Sequence, residues 1–140
     1  MKTKKATVIG CAVLLGLCGQ AASAANWITI VDAENVQVGI DAESAQFSPD
    51  GTKARGWVRN QYSPAVTYDG HQKVSMAMMQ YVVDCRLNTF AVVDGAVYDS
   101  GGAMVARQSL DANPKEPIPG SVADSVKKAL CGVAALHPHG

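Results

Sequence analysis

"VSMAMMQYVVDC", residues 74–85, decides how the rest of the chain must fold. In an extended strand successive side chains alternate between faces. Met79, Tyr81, Val83 and Cys85 then share one face, and Met76, Met78 and Val82 share the other. Both faces are apolar, so this is the longest and most central strand, and something should cover each side of it. Three methionines in so short a stretch invite a soft-metal reading, because thioethers suit Cu(I). Met78 and Met79 are adjacent, however, and an extended chain sends them to opposite faces. They fill space between packed layers and do not converge on an ion. No metal or cofactor is expected.

Working outward, the preceding chain breaks into shorter extended pieces. Trp27–Val31 is aromatic and β-branched, the composition a half-buried pleated surface favours. Val36–Asp41 alternates apolar with small or polar residues. Ser48-Pro49-Asp50-Gly51 reads as a turn, in which proline presets φ and glycine accepts a positive φ. Lys53–Tyr62 predicts a third strand, and residues 63–72 a polar loop. Downstream, Thr89–Tyr98 is a further strand interrupted by Asp94-Gly95, a dipeptide that makes either a two-residue hairpin or a bulge. Ala103–Leu110 is the last strand. Residues 113–120 hold three prolines and form a stiff extended connection.

One helix is well marked. Ser121 can cap it, with Asp124 three residues on in the capping-box position. Val122, Val126, Leu130 and Val133 then fall on one stripe at helical spacing, with Cys131 beside it. The expected fold class is α+β: an antiparallel sheet of about six strands with one C-terminal helix packed on it.

The start of the chain belongs to a different process. Lys2, Lys4 and Lys5 precede an uncharged apolar run from Ala6 to Gly19, and Ala22-Ser23-Ala24 offers the small residues that a signal peptidase reads. This is the three-part pattern of a secretory signal, expected over residues 1–24 with cleavage after Ala24, cleavage after Ala25 being the alternative. Lipidation requires a small residue before the modified cysteine. Leu17 before Cys18 is too large, and Gly10-Cys11 lies too close to Lys5. The exported chain is therefore expected to be non-lipidated, in the periplasm or at the cell surface, with no transmembrane segment in its mature form. Removing 24 of 140 residues leaves 116, enough for one domain over 25–140 with a short flexible C-terminal tail. Three basic residues leave with the signal, so nine stand against twelve acidic ones, a net charge of −3. That balance excludes an ordinary nucleic-acid binder, which concentrates positive charge. Cys85 and Cys131 alone remain in a chain bound for an oxidising compartment. A disulfide between them would close a loop of about 47 residues, worth about 4 kcal/mol on the chain-entropy model; a pair of free buried thiols is the alternative.

Asp99-Ser100-Gly101-Gly102 carries the letters that surround the nucleophile of trypsin-like proteases. Serine catalysis also needs a histidine base, an orienting acid and an oxyanion hole. His137 and His139 lie in the terminal tail, which leaves only His71. The four letters fall between two strands, where glycines make a hairpin turn, so the turn reading is preferred. Asp32 and Glu34, and Asp41 and Glu43, are spaced as carboxylate pairs but sit beside turns. No phosphate loop, dinucleotide fingerprint or zinc motif occurs. The chain is not expected to be an enzyme.

Taken in order, Trp27, Ile40-Asp41-x-x-Ser44, Trp57-Val58, Tyr62-x-Pro64, Tyr81-x-x-Asp84-Cys85, Tyr98-Asp99-x-x-Gly102, Ile118-Pro119-Gly120-Ser121 and Cys131 resemble the surface-adhesin protein E family of Gram-negative bacteria. The resemblance spans nearly the whole mature chain. It implies an antiparallel sheet backed by a helix, and a turn at Asp99–Gly102. It also implies an adhesin-like protein that binds host extracellular-matrix or plasma proteins, with vitronectin, laminin and plasminogen as candidate partners. A soluble periplasmic accessory domain without a host partner is the second reading. The doubly apolar strand adds the expectation of a homodimer or a partner-dependent surface. Trp57, Tyr62 and Tyr68 are the candidate contact residues, because aromatic side chains dominate interface energetics; a core position for Trp57 is the competing reading.

Overall fold

A computed structural model describes residues 25–136. The expected signal segment 1–24 and the tail histidines His137 and His139 lie outside the described residues. Seven strands and one helix follow in order: β1 (Trp27–Ala33), β2 (Val36–Asp41), β3 (Gln46–Phe47), β4 (Lys53–Tyr68), β5 (Gln72–Asp84), β6 (Thr89–Tyr98), β7 (Met104–Ser109) and α1 (Val122–Leu136). They form one sheet in the order β1-β2-β4-β5-β6-β7, with the two-residue β3 pairing onto β4. Every pairing is antiparallel. The expected architecture is therefore present, with β4 and β5 at its centre, but the longest strand is β4, at 16 residues, and not β5, at 13.

The expected loop over residues 63–72 is a correction. β4 continues through Val66, Thr67 and Tyr68, which pair with Val74, Lys73 and Gln72. Pro64 follows a cis peptide and falls where the ladder is interrupted, between Gln61 and Val66. A proline has no N–H to give a ladder, and such breaks accommodate it. The reversal itself is made by Asp69 (φ 48°) and Gly70 (φ 73°), two successive positive-φ residues. Asp-Gly is a strong hairpin signal for that geometry. The open question at Asp94-Gly95 is settled as a bulge. The register passes from Gln80↔Asp94 to Tyr81↔Val92, which leaves Val93 unpaired in the ladder to β5.

Alternation sorts the two faces of the sheet. On the inner face, Val38, Ile40, Val58, Tyr81 and Val83 meet Val126 and Leu130 of α1 in one buried cluster. Phe90 stacks on Tyr81 with ring centroids 5.9 Å apart, and burial pushes the Tyr81 hydroxyl pKa up. Gly56 lies directly beneath the helix: a β-carbon there would stand 2.7 Å from Leu130 Cδ2. The helix therefore approaches the sheet as closely as it does because β4 carries no side chain at that point. Cys85, at the end of β5, is joined to Cys131 by a disulfide with 5.8 Å between α-carbons. The bond ties α1 to the central hairpin.

The helix begins as its residues predict. Ser121 Oγ accepts a hydrogen bond from the Asp124 N–H at 3.2 Å, and Asp124 Oδ2 accepts one from the Gly120 N–H at 3.0 Å. Lys128 Nζ donates to the same carboxylate at 2.7 Å. Within α1, a β-carbon added at the exposed Gly132 would meet nothing within 4 Å. Glycine in a helix interior is less favourable than alanine by about 0.8–1 kcal/mol. Gly132→Ala should accordingly raise stability by up to about 1 kcal/mol, read as a higher denaturation midpoint with an unchanged m-value.

Three aspartates make stability depend on acid. Asp50 accepts hydrogen bonds from Ser48 and Thr52, which lower its pKa from 3.8 to about 2. Arg107 beside Asp94, and Lys128 together with the Gly120 N–H beside Asp124, lower those carboxyls as well. A carboxyl with a lowered folded pKa binds fewer protons in the folded than in the unfolded state. It contributes stability above its unfolded pKa, and that contribution is lost as pH falls through the folded value. The thermal midpoint should hold near neutrality and fall between pH 3.8 and about 2, less steeply in Asp124→Asn.

A candidate binding face

Alternate residues of β4 point away from the helix: Lys53, Arg55, Trp57, Arg59 and Gln61. Cross-strand pairing extends this outer face. Gly39 pairs with Arg59, Arg59 with Met78, Met78 with Ala96, and Ala96 with Arg107, so a single row crosses five of the six principal strands. At its β1 end the Trp27 ring lies over Gly39. The Arg59 guanidinium carbon sits 4.6 Å from the centroid of that ring, a cation–π arrangement. At the far end Arg107 Nη2 donates to Asp94 Oδ2 at 2.7 Å.

Two depressions lie along this face. One, of about 300 Å³, is lined by Trp27, Trp57, Met78, Ala96, Tyr98 and Arg107 among others. The second, of about 380 Å³, is lined by Lys53, Arg55, Val82, Leu87, Val93 and Pro114 among others. In the outward row of β5, Met76, Met78 and Val82 form a mainly apolar floor interrupted by Gln80, and the outward row of β4 forms a cationic wall with one tryptophan in it. The helix covers only the opposite side. Met76, Met78 and Val82 are half-buried and have no helix above them.

Three carboxylates of this face are engaged, while Asp32, whose partner Gln37 pairs with Gln61, is exposed. Asp41 accepts from the N–H groups of Glu43 and Ser44, and Asp84 from those of Arg86 and Leu87. Asp94 holds Arg107. Among the described residues the ion pairs are Arg107–Asp94, Lys127–Asp124 and Lys128–Asp124. Among the described residues Lys53, Arg55 and Arg59 have no ion pair, and Arg59 Nε is buried without an acceptor.

The three aromatic residues singled out from the sequence are not brought together. Trp57 is on the outer face. Tyr62 lies on the helix side, within reach of the Asn60 side-chain amide at 3.4 Å. Tyr68 lines a small pocket with Met79 and Leu110 near the end of the central hairpin. Trp27, Arg59, Tyr98 and Arg107 were not picked out. The two-residue period Lys53-x-Arg55-x-Trp57-x-Arg59 within one strand was the available signal.

Ser100 sits in a turn. Asp99 Oδ1 accepts from the N–H groups of Gly101 and Ala103, both at 2.9 Å, and Gly102 has φ +82°. That aspartate is spent on its own turn, and Ser100 and His71 share no hydrogen bond. The adjoining cleft, about 590 Å³, is lined by Asp32, Glu34, Gln61, Ser75 and Ser100 among others, with no histidine. Among the described residues no group of three or more His, Cys, Asp or Glu is placed to hold a metal ion. No helix there is long and apolar enough to cross a membrane.

This arrangement matches a known one. The family model for surface-adhesin protein E matches residues 27–132. The chain belongs to the surface-adhesin protein E family. Among solved structures it is similar to the crystal structure of protein E from non-typeable Haemophilus influenzae, with a TM-score of 0.55 and 15% identity. That similarity covers 81% of this chain and 80% of the other. At so low an identity it speaks for the fold. No curated protein sequence matches the chain. Membership of the family supports an adhesin-like function, an exported or surface-exposed protein, and a protein as its partner.

Proposed function

We propose that this surface-adhesin protein E family member is a non-enzymatic binding protein whose uncovered sheet face engages host extracellular-matrix or plasma proteins. One observation carries the reading. The face opposite the helix combines Trp27, Trp57 and Tyr98 with Arg59 and Arg107 around an apolar depression. Aromatic residues and arginine are the side chains most enriched among binding hot spots. The chain reaches that role by export: residues 1–24 direct secretion and are removed after Ala24, and the domain over 25–140 works in the periplasm or at the cell surface without a lipid.

Two measurements test this. N-terminal sequencing of the exported protein should begin at Ala25 or Asn26; a lipid-modified cysteine at the N-terminus would overturn the processing part. Purified domain passed over immobilised vitronectin, laminin and plasminogen should bind at least one of them. A protein that binds none of the three, and remains confined to the periplasm, would favour a periplasmic accessory domain. Sedimentation run alongside would show whether a second copy of the chain takes the face instead.

A further inference from the structure

We propose that the outer face takes an acidic, amphipathic segment of its protein partner, with apolar side chains on the β5 floor and carboxylates against the β4 wall. The inference rests on the outer face being the binding surface, and adds the chemistry of what binds there.

Charge complementarity is the argument. The mature chain is acidic overall, yet its outward β4 row reads Lys53, Arg55, Trp57, Arg59. Alternate residues of a strand recur about every 6.8 Å, so these groups form a regular line. Lys53 and Arg55 are exposed. Neither they nor Arg59 has an ion pair among the described residues; Asp41 and Asp84 accept backbone N–H groups, and Asp94 holds Arg107. The neighbouring floor is apolar at both ends, at Val82 and Leu87 and again at Met78 and Ala96. From Val82 to Met78 it runs about 13 Å along β5, with Gln80 between them. A partner segment with one charged and one apolar side matches both strips together. A purely acidic chain would leave the floor wet, and a neutral one would leave the cations unpaired.

The probe is a fluorescently labelled twelve-residue peptide of alternating glutamate and leucine; a peptide with lysine in place of glutamate serves as control. Full-length exported protein should bind the acidic peptide and not the lysine peptide, and added salt should weaken binding as it screens the exposed charges. Lys53→Glu with Arg55→Glu changes two exposed residues and should weaken binding about tenfold or more, with an unchanged circular dichroism spectrum. Arg59→Gln should weaken it as well, through a residue that is part-buried. Equal binding of the two peptides, no effect of the double reversal, or preference for heparin over the acidic peptide would each overturn the proposal. Capture of vitronectin, laminin or plasminogen that survives the double reversal would overturn this chemistry while leaving the broader binding role standing.

Discussion

Leu130→Ala should destabilise the domain by about 2–5 kcal/mol, the range for removing a fully buried leucine side chain. Leu130 has no exposed surface and stands where α1 crosses β4, among Val58, Tyr81, Val83 and Val126. A second substitution isolates the cause. Gly56→Ala places its new methyl 2.7 Å from Leu130 Cδ2. Leu130 is enclosed on all sides, so it yields only by pushing its neighbours, at about 1–3 kcal/mol. In the double variant the alanine methyl of residue 56 enters the space Leu130 has vacated. The two losses should therefore sum to more than the double variant shows, by about 0.5–3 kcal/mol of favourable coupling. Urea denaturation of the four proteins measures this; strict additivity would mean that Gly56 and Leu130 do not share one packing site.

Loss of the disulfide should cost as much. Cys85 and Cys131 are separated by 46 residues, and opening a loop of that length costs about 4 kcal/mol on the chain-entropy model, with about 2–5 kcal/mol typical for native bridges in small exported domains. A domain of this size starts from only about 5–15 kcal/mol of total stability. Cys85→Ser with Cys131→Ser should thus lower the denaturation midpoint sharply, and reduction of the native protein should reproduce the effect. Helix detachment should come first, because the bond joins α1 to the end of β5. A double-serine variant within about 1 kcal/mol of the native protein would show that packing at Leu130 and Val126 alone holds the helix.

Much of this fold was legible from local chemistry. The stripe Val122, Val126, Leu130 placed the helix face, Ser121 placed its start, and Cys85 and Cys131, the two cysteines outside the apolar N-terminal run, suggested its bond. The period of two in residues 74–85 identified the central strand and its two apolar sides. What escaped the reading depended on partners distant in sequence. Val66-Thr67-Tyr68 is extended because Gln72–Val74 returns beside it, and Pro64 masked that by suggesting a loop. Asp94-Gly95 supports a hairpin or a bulge equally well until Gln80 and Tyr81 lie opposite it. The candidate face was harder still. Trp27 and Arg59 meet only because β1 and β4 both flank β2 and Gly39 carries no side chain between them. Tyr62 and Tyr68 carry the right chemistry for contact, but strand parity and the hairpin end direct them elsewhere.

The central claim is that the helix-covered face holds the domain together while the bare face does its binding. Trp57→Ala tests it most directly, compared with Ala135→Lys on the exposed side of α1 as the control. Each variant would be measured for binding to vitronectin, laminin and plasminogen after its thermal unfolding is confirmed to be cooperative. For whichever partner the native domain captures, Trp57→Ala should weaken binding about thirtyfold, as expected of an aromatic hot spot, and Ala135→Lys should leave it unchanged. Binding that survives Trp57→Ala and disappears in Ala135→Lys would contradict the account.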